Sequence, residues 1–235
     1  MHIDTSFDVR TDSGGKDPDK CSPTLRRYHK ELWSKPLPIG SMFSLDDQSP
    51  RTYLRHTSDS EDFQLASDTV VPTFRAWKSM QEVIRDTPTG VLDAFQRANH
   101  TIGGFMIFPG NRVGRGMTIN GARGFSKLIC DRFDLTLECI RLHYNGEDNP
   151  LARTLHAYSR FFDLFRDFAG YAEFFLLQDL VDNNGGVRFL MPFDGFYPRP
   201  VPRTVDDYLE YARRSMEWIE ARNRRIESWS ANPGN

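Results

Sequence analysis

Between Ala94 and Cys130 the chain carries five basic side chains, Arg97, Arg112, Arg115, Arg123 and Lys127, and no Asp or Glu. Seven of its 17 glycines fall in the same stretch, GGFMIFPGNRVGRGMTINGARG, residues 103–124. Glycine lets backbone N–H groups approach a ligand closely, and successive N–H groups can cradle an anion. Arginine adds planar, bidentate recognition of phosphate or carboxylate. The segment is therefore a candidate phosphate site, with Arg112, Arg115, Arg123 and Lys127 holding the anion and Asn120 orienting it. It contains neither GxxxxGK[ST] nor a GxGxxG that leaves a strand and opens a helix. The alternative is a long loop in which glycine supplies turns and arginine supplies solubility.

An acidic constellation follows directly. On a helix of about 100° per residue, DRFDLTLECIRLHYN (131–145) puts Asp131, Asp134, Glu138, Arg141 and Asn145 on one narrow stripe. Arg132, Thr136 and His143 lie roughly opposite, with apolar faces on both flanks. A helix apolar on both flanks packs on both sides, so one polar stripe must point into a cleft or a polar network. If that stripe is Asp131–Asp134–Glu138, the three carboxylates need arginine partners, a metal such as Mg²⁺, or raised pKa values, and they become candidate acids and bases. The competing reading makes them an outer stripe or ion-pair partners of nearby arginines.

Two weaker constellations lie earlier. Lys16, Arg26, Arg27, Lys30 and Lys35 interleave with Tyr28, His29 and Trp33, a pattern that can hold a phosphodiester and stack a base. Asp17, Asp19 and Glu31 dilute it, and a docked amphipathic helix accounts for it better. In Tyr53-Leu54-Arg55-His56-Thr57-Ser58, a strand ends in His and a small hydroxyl residue. That arrangement resembles the nicotinamide-side motif of ADP-ribosyltransferases. The resemblance implies a NAD-consuming enzyme with His56 on the ribose, but that family's later Tyr and Glu signatures have no clear counterpart here.

The elements that must position these residues can be read from pattern. A polar extension covers 1–21, with a short strand at Phe7–Arg10. Ser22-Pro23 starts a helix ended by Pro36 and Pro38. Short strands are expected at Phe43–Leu45, Thr52–His56 and Phe63–Leu65, joined by a polar turn over 46–51 and a hairpin link over 57–62. Helices follow over 72–85 and 91–98. Phe105–Phe108 reads as a buried strand. Met117–Ile119 reads as its return, with the loop 110–116 between them and a turn at Asn120-Gly121. Helices are expected at 126–145, 150–168, 171–183 and 204–229, with a strand at Val187–Met191 and a rigid proline-rich connector after it. The predicted architecture is one α+β domain over 22–229, with a flexible tail at 230–235. In it a small, mostly antiparallel sheet from the N-terminal half and Val187–Met191 is covered by helices from the C-terminal half.

Totals limit the function classes. A chain of 235 residues, 39% hydrophobic and 26% charged, fits a soluble globular protein. A net charge of -2 argues against a general nucleic-acid coat and leaves room for a local basic site. Cys21, Cys130 and Cys139 form no CxxC, and the six histidines form no HxH or HExxH. This points to reduced thiols in a cytoplasmic protein rather than a zinc site. Apolar runs such as Phe174–Leu177 are far too short for a membrane span.

The strings GGKDPDKCSPTLRRYHKELWSKPLP, MTINGARGF, DRFDLTLECIRLHY and FFLLQDLV resemble a family of uncharacterised bacterial proteins, a domain of unknown function. The resemblance runs from about residue 7 to 226. It implies a stand-alone bacterial cytosolic domain and carries no activity. Three functions follow as expectations. The first is binding of a nucleotide or nucleic acid at the basic segment, with the acidic helix facing it. The second is a non-catalytic protein-interaction module that uses the aromatic run Phe161–Phe175. The third is the NAD-consuming reading through His56.

Overall fold

Ser22 sets the first long helix in place. Its hydroxyl accepts the Leu25 N–H (3.1 Å) while Pro23 occupies the first helical position, so two of the usual orphan-donor problems of a helix start are solved locally. The structure, a computed structural model, describes residues 2–47, 53–58 and 61–231. The turn expected over 46–51, the first residue of the Thr52–His56 strand, the middle of the 57–62 link and the tail from 232 lie wholly or largely outside the described residues.

The chain forms α1 (Pro18–Cys21), α2 (Pro23–Trp33) and a small ladder of β1 (Lys35–Pro36) with β2 (Met42–Phe43). An antiparallel meander follows, in the order β3 (Leu45–Asp46), β4 (Leu54–Thr57), β5 (Asp62–Thr69) and β6 (Phe105–Pro109). Helices α3 (Gln81–Asp86) and α4 (Thr89–Asn99) lie between β5 and β6. The second half is helical: α5 (Ile119–Phe125), α6 (Phe133–Tyr144), α7 (Ala152–Ala157), α8 (Ser159–Asp163), α9 (Phe168–Phe174) and α10 (Val205–Ala231). This is the expected α+β class, with the antiparallel sheet in the N-terminal half.

Helix α10 is the spine. Thr204 Oγ1 accepts the Asp207 N–H, and Asp207 Oδ2 accepts the N–H groups of Arg203 and Thr204, each at 3.1 Å. Asp206 and Asp207 also complement the positive end of the helix dipole. Along its buried side, Tyr208 and Tyr211 donate to the carbonyls of Thr73 (2.8 Å) and Pro72 (3.0 Å). About three turns further on, Asn223 Oδ1 accepts the Gly103 N–H (2.8 Å), and Arg222 donates to the carbonyls of Gly103 (2.9 Å), Phe105 (2.7 Å) and Phe175 (3.1 Å). The wholly apolar strand β6, FMIFP, is buried along its length, and Arg222 of α10 holds its first residue.

Several expected elements take other forms. Residues 2–21 pack against the body, with Ile3 and Val9 in the main core and turns in place of a strand at Phe7–Arg10. The helix expected over 72–85 begins only with a 3-10 turn at Lys78–Met80, because the Pro72 and Thr73 carbonyls are taken by the α10 tyrosines and Phe74 adopts φ 57°. Met117–Ile119 does not return as a strand. Thr118 Oγ1 accepts the Gly121 N–H (3.1 Å) and caps α5, so Asn120-Gly121 is helical rather than a turn. Helix α6 starts at Phe133, not 126, since Cys130 (φ 48°) and Asp131 (φ 61°) are left-handed. The long helix expected over 150–168 breaks at Tyr158 into α7 and α8. The helix expected at 171–183 begins earlier, at Phe168, behind an Asp167 cap, and ends at Phe174. Val187–Met191 contributes a single bridge, Val181 to Val187, and joins no sheet.

Close packing of α10 on the segment before β6 gives a direct test. A Cβ on Gly103 would lie 2.5 Å from Asn223 Oδ1 and 2.7 Å from the Ile219 carbonyl, whereas one on Gly90 meets nothing within 4 Å. Gly103→Ala is expected to cost about 1–3 kcal/mol, as overpacking does. Gly90→Ala, inside α4, should range from neutral to about 1 kcal/mol stabilising. Denaturant midpoints of the two variants check the contrast, and equal midpoints would contradict the α10 docking described.

Candidate functional site

Arg123 projects from α5 into the protein and is fully buried. Its Nε donates to Thr136 Oγ1 of α6 (3.0 Å), Nη1 to Asp68 Oδ2 at the end of β5 (2.5 Å), and Nη2 to the carbonyls of Val70 (3.2 Å) and Asp131 (2.9 Å). The Asp131 carboxylate lies 3.3 Å from Nη2. One guanidinium thus joins α5, the sheet, the turn before α6, and α6 itself. Four of its five N–H groups are committed internally and the side chain is fully buried, so Arg123 anchors the basic segment and does not offer a free cation to a ligand. Asn120, half-buried on the same helix, turns its amide toward the Ser67 carbonyl (3.5 Å).

Acids outnumber bases around Arg123. Burial pushes the Asp68 carboxyl well up from its ordinary value, and the charges of Asp131, Asp19 and Asp17 add to the rise against the pull of Arg123. Burial also raises Asp131, again opposed by Arg123. Asp19 is pushed up to about 6 by burial and by Asp17, although Thr69 donates to it through both N–H (3.3 Å) and hydroxyl (3.1 Å). Asp68 and Asp131 open onto a cleft of about 290 Å³ between the irregular 71–77 segment and the end of α4. Phe74 and Trp77, in edge-to-face contact (centroids 5.2 Å apart), line it together with Asn99 and His100.

The Asp131–Asp134–Glu138 stripe does not assemble as one site. Asp131 precedes α6 and turns to Arg123. Asp134, fully buried, binds Arg132 (Nε–Oδ1 3.1 Å) and accepts the Leu190 N–H (2.9 Å). Glu138 takes a two-point contact from Arg141, with both hydrogen bonds at 2.8 Å. Each carboxylate therefore holds its own arginine. Among the described residues no group of three or more His, Cys, Asp or Glu is placed to hold a metal ion.

The rest of the basic segment faces outward. Arg112, Arg115 and Lys127 are exposed, and none of them ion-pairs with a carboxylate among the described residues. Large apolar groups are exposed beside them: Val113 (44%), Met117 (47%) and Phe125 (79%). Sequence reasoning missed a neighbour. The Arg199 N–H donates to the Lys127 carbonyl (2.8 Å), bringing exposed Tyr197 and Arg199 of the proline-rich connector beside this surface. No local signal links residues so far apart in the chain. Asp68 and Asp19 were missed for the same reason.

His56 belongs to the core. It is 1% exposed, its Nδ1 is 3.0 Å from the Ser44 carbonyl, and its ring lies between Phe43 (4.3 Å) and Phe63 (6.3 Å). Burial lowers its pKa, against the opposing pull of the Ser44 carbonyl. The front cluster is likewise engaged: Lys30 pairs with Asp47 (2.8 Å), Arg27 with Glu31 (3.4 Å), and Lys35 Nζ sits among the rings of Trp33, Phe174 and Trp229 at 4.7–5.0 Å. The aromatic run from Phe161 to Phe175 is interior, with Phe161, Phe162, Phe165, Phe168, Phe174 and Phe175 all buried.

Two outcomes test this division of roles. Arg123→Met leaves Asp68 and Asp131 without their cation and is expected to cost about 3–5 kcal/mol, as breaking a buried pair does. Arg112→Ala and Arg115→Ala should stay within about 0.5 kcal/mol of wild type in the same denaturant titration. The second test uses pH. The folded chain keeps the Asp19 proton up to about pH 6, whereas the ordinary value is 3.8. At Asp19 the folded state thus binds more protons across that interval, and the Asp19 contribution to stability falls as pH rises from about 4 to 6. Asp19→Asn removes this contribution, so its stability relative to wild type should improve steadily over the window. A difference independent of pH would show that Asp19 titrates normally.

No similar curated protein and no similar solved structure was found. A family model described as a family of unknown function (DUF6994) matches residues 3–226, which includes every residue of the Arg123 junction, the cleft and the exposed basic surface. The chain belongs to this family of unknown function.

Proposed function

We propose that this protein binds a phosphate-bearing ligand on the exposed face of the glycine-rich segment, and that the ligand is single-stranded nucleic acid rather than a free nucleotide. The observation that supports this most is the set Arg112, Arg115 and Lys127: exposed cations without acidic partners among the described residues, in a stretch that contains no carboxylate. Exposed Phe125 and Tyr197 supply faces on which bases can stack. A nucleotide-sized phosphate cradle has less support. The N-terminus of α5 is closed by its own Thr118 cap, and Arg123 is committed internally. Exposed cations distributed over residues 112–127, rather than gathered at one backbone cradle, suit a phosphodiester backbone better than one compact phosphate group. With a net charge of -2 the remainder of the protein adds no general attraction, so binding should be local and salt-sensitive.

Fluorescence anisotropy with labelled oligothymidylate tests the reading. Binding should weaken with salt at a log–log slope of about -2, as expected for roughly three phosphates on a single strand. The triple variant Arg112→Ala/Arg115→Ala/Lys127→Ala should lose at least roughly tenfold in affinity while keeping its melting temperature, and Phe125→Ala should lose somewhat less. Wild-type protein that fails to bind at low salt, or a triple variant that binds equally well, would overturn the proposal.

A further inference from the structure

The cleft below Arg123 has the opposite chemistry to the loop above it. Its polar lining consists mainly of acceptors. Asp68 and Asp131 keep 21% and 30% of their side-chain surface exposed beside the single guanidinium they share. His100 donates from Nδ1 to the Gln96 carbonyl (2.7 Å), which leaves the lone pair on Nε2. Asn99, only 3% exposed, lines the same cleft, and its side-chain amide makes no hydrogen bond among the described residues, with Oδ1 fully buried and unpartnered. A buried amide without a partner is costly, and Asn99 Oδ1 shares that state with other buried polar atoms such as Asn120 Oδ1 and Ser67 Oγ. Two cations border it: Arg123, which Asp68 and Asp131 share, and Arg75, a lining residue whose Nη1 turns to Asp93 (3.3 Å).

Phe74 and Trp77 complete the walls. An indole face beside carboxylates attracts ammonium groups, and the attraction grows as water is excluded. The volume, about 290 Å³, lies at the small end for ligand pockets of roughly 300–1,000 Å³. Two carboxylates against the one guanidinium they share leave a negative charge when both are ionised, which favours a positive guest; burial, which raises both carboxyls, places that charge where water screens it less.

We infer that this cleft binds a compact organic ammonium ion, which donates to Asp131 and Asp68 and packs its apolar part against Trp77 and Phe74. The inference uses none of the residues assigned to the exposed basic surface and stands or falls separately from it.

Benzylammonium, its neutral match benzyl alcohol and its anionic match benzoate serve as probes, followed by calorimetry and saturation-transfer NMR at constant ionic strength. Benzylammonium should bind saturably, and the other two at least roughly tenfold more weakly. Asp131→Asn should weaken benzylammonium binding to a similar extent. Because that change also touches the Arg123 junction, Trp77→Ala provides a second test: its side chain is partly exposed and holds no ion pair, so the fold should persist while affinity drops several-fold. Absence of saturable benzylammonium binding by about 10 mM overturns the inference. So does equal binding of benzyl alcohol, or wild-type affinity in a folded Trp77→Ala protein.

Discussion

The structure turns on one guanidinium. Arg123 is fully buried, and a buried arginine is tolerated only where its charge and its five N–H groups find partners. Here the partners come from separate parts of the chain: Asp68 and Val70 at the end of β5, Asp131 in the turn before α6, and Thr136 within α6. Satisfying Arg123 therefore fixes where the sheet ends, how α5 lies on it, and where α6 begins. The left-handed backbone at Cys130 and Asp131 is consistent with that demand, since it carries the Asp131 carbonyl to Nη2. Arg222 plays a parallel part for α10, although its hydrogen bonds go to carbonyls and to Met106 Sδ rather than to a carboxylate. Burial works against the Arg222 charge, and its Nε has no hydrogen-bond partner among the described residues.

What could be read in the sequence depended on whether the deciding partner was local. The Ser22-Pro23 start of α2, the Thr204 start of α10 and the apolar run of β6 rest on neighbours within a few residues, and all three appear as expected. Residues 72–77 look helical in isolation. They are held irregular by Tyr208 and Tyr211, more than 130 positions away, which bind the carbonyls a helix would need. The Asn120-Gly121 pair is a strong turn signal, but Thr118 just before it is an equally good helix cap, and the buried Arg123 decides between them by requiring α5.

The acidic helix shows the same dependence at the level of the candidate site. Apolar flanks on both sides predicted a helix packed on both faces, and the first eight residues of α6, Phe133–Ile140, are all buried. The wheel also predicted a shared stripe of three carboxylates. That part failed because Asp131 lies outside the helix, while Asp134 and Glu138 each take an arginine only two or three positions away, Arg132 and Arg141. Once each carboxylate has a neighbouring guanidinium, no electrostatic need remains to gather them. The charge pattern was legible, but the pairing that neutralises it was not.

The acid-free segment is thus two things in one stretch of sequence. Composition treats Arg112, Arg115, Arg123 and Lys127 alike, yet the fold sends Arg123 inward and the other three outward. Asp131, the nearest acid after the segment, is drawn to Arg123 at 3.3 Å and cannot also neutralise the outer cations. Asp68 is held on the same guanidinium, so its remaining charge faces the cleft rather than the loop. One buried arginine therefore separates a cationic surface from an acceptor-lined cleft within a chain whose acids and bases nearly cancel. The separation follows from which carboxylates reach Arg123 first, and a change in net charge would not reproduce it.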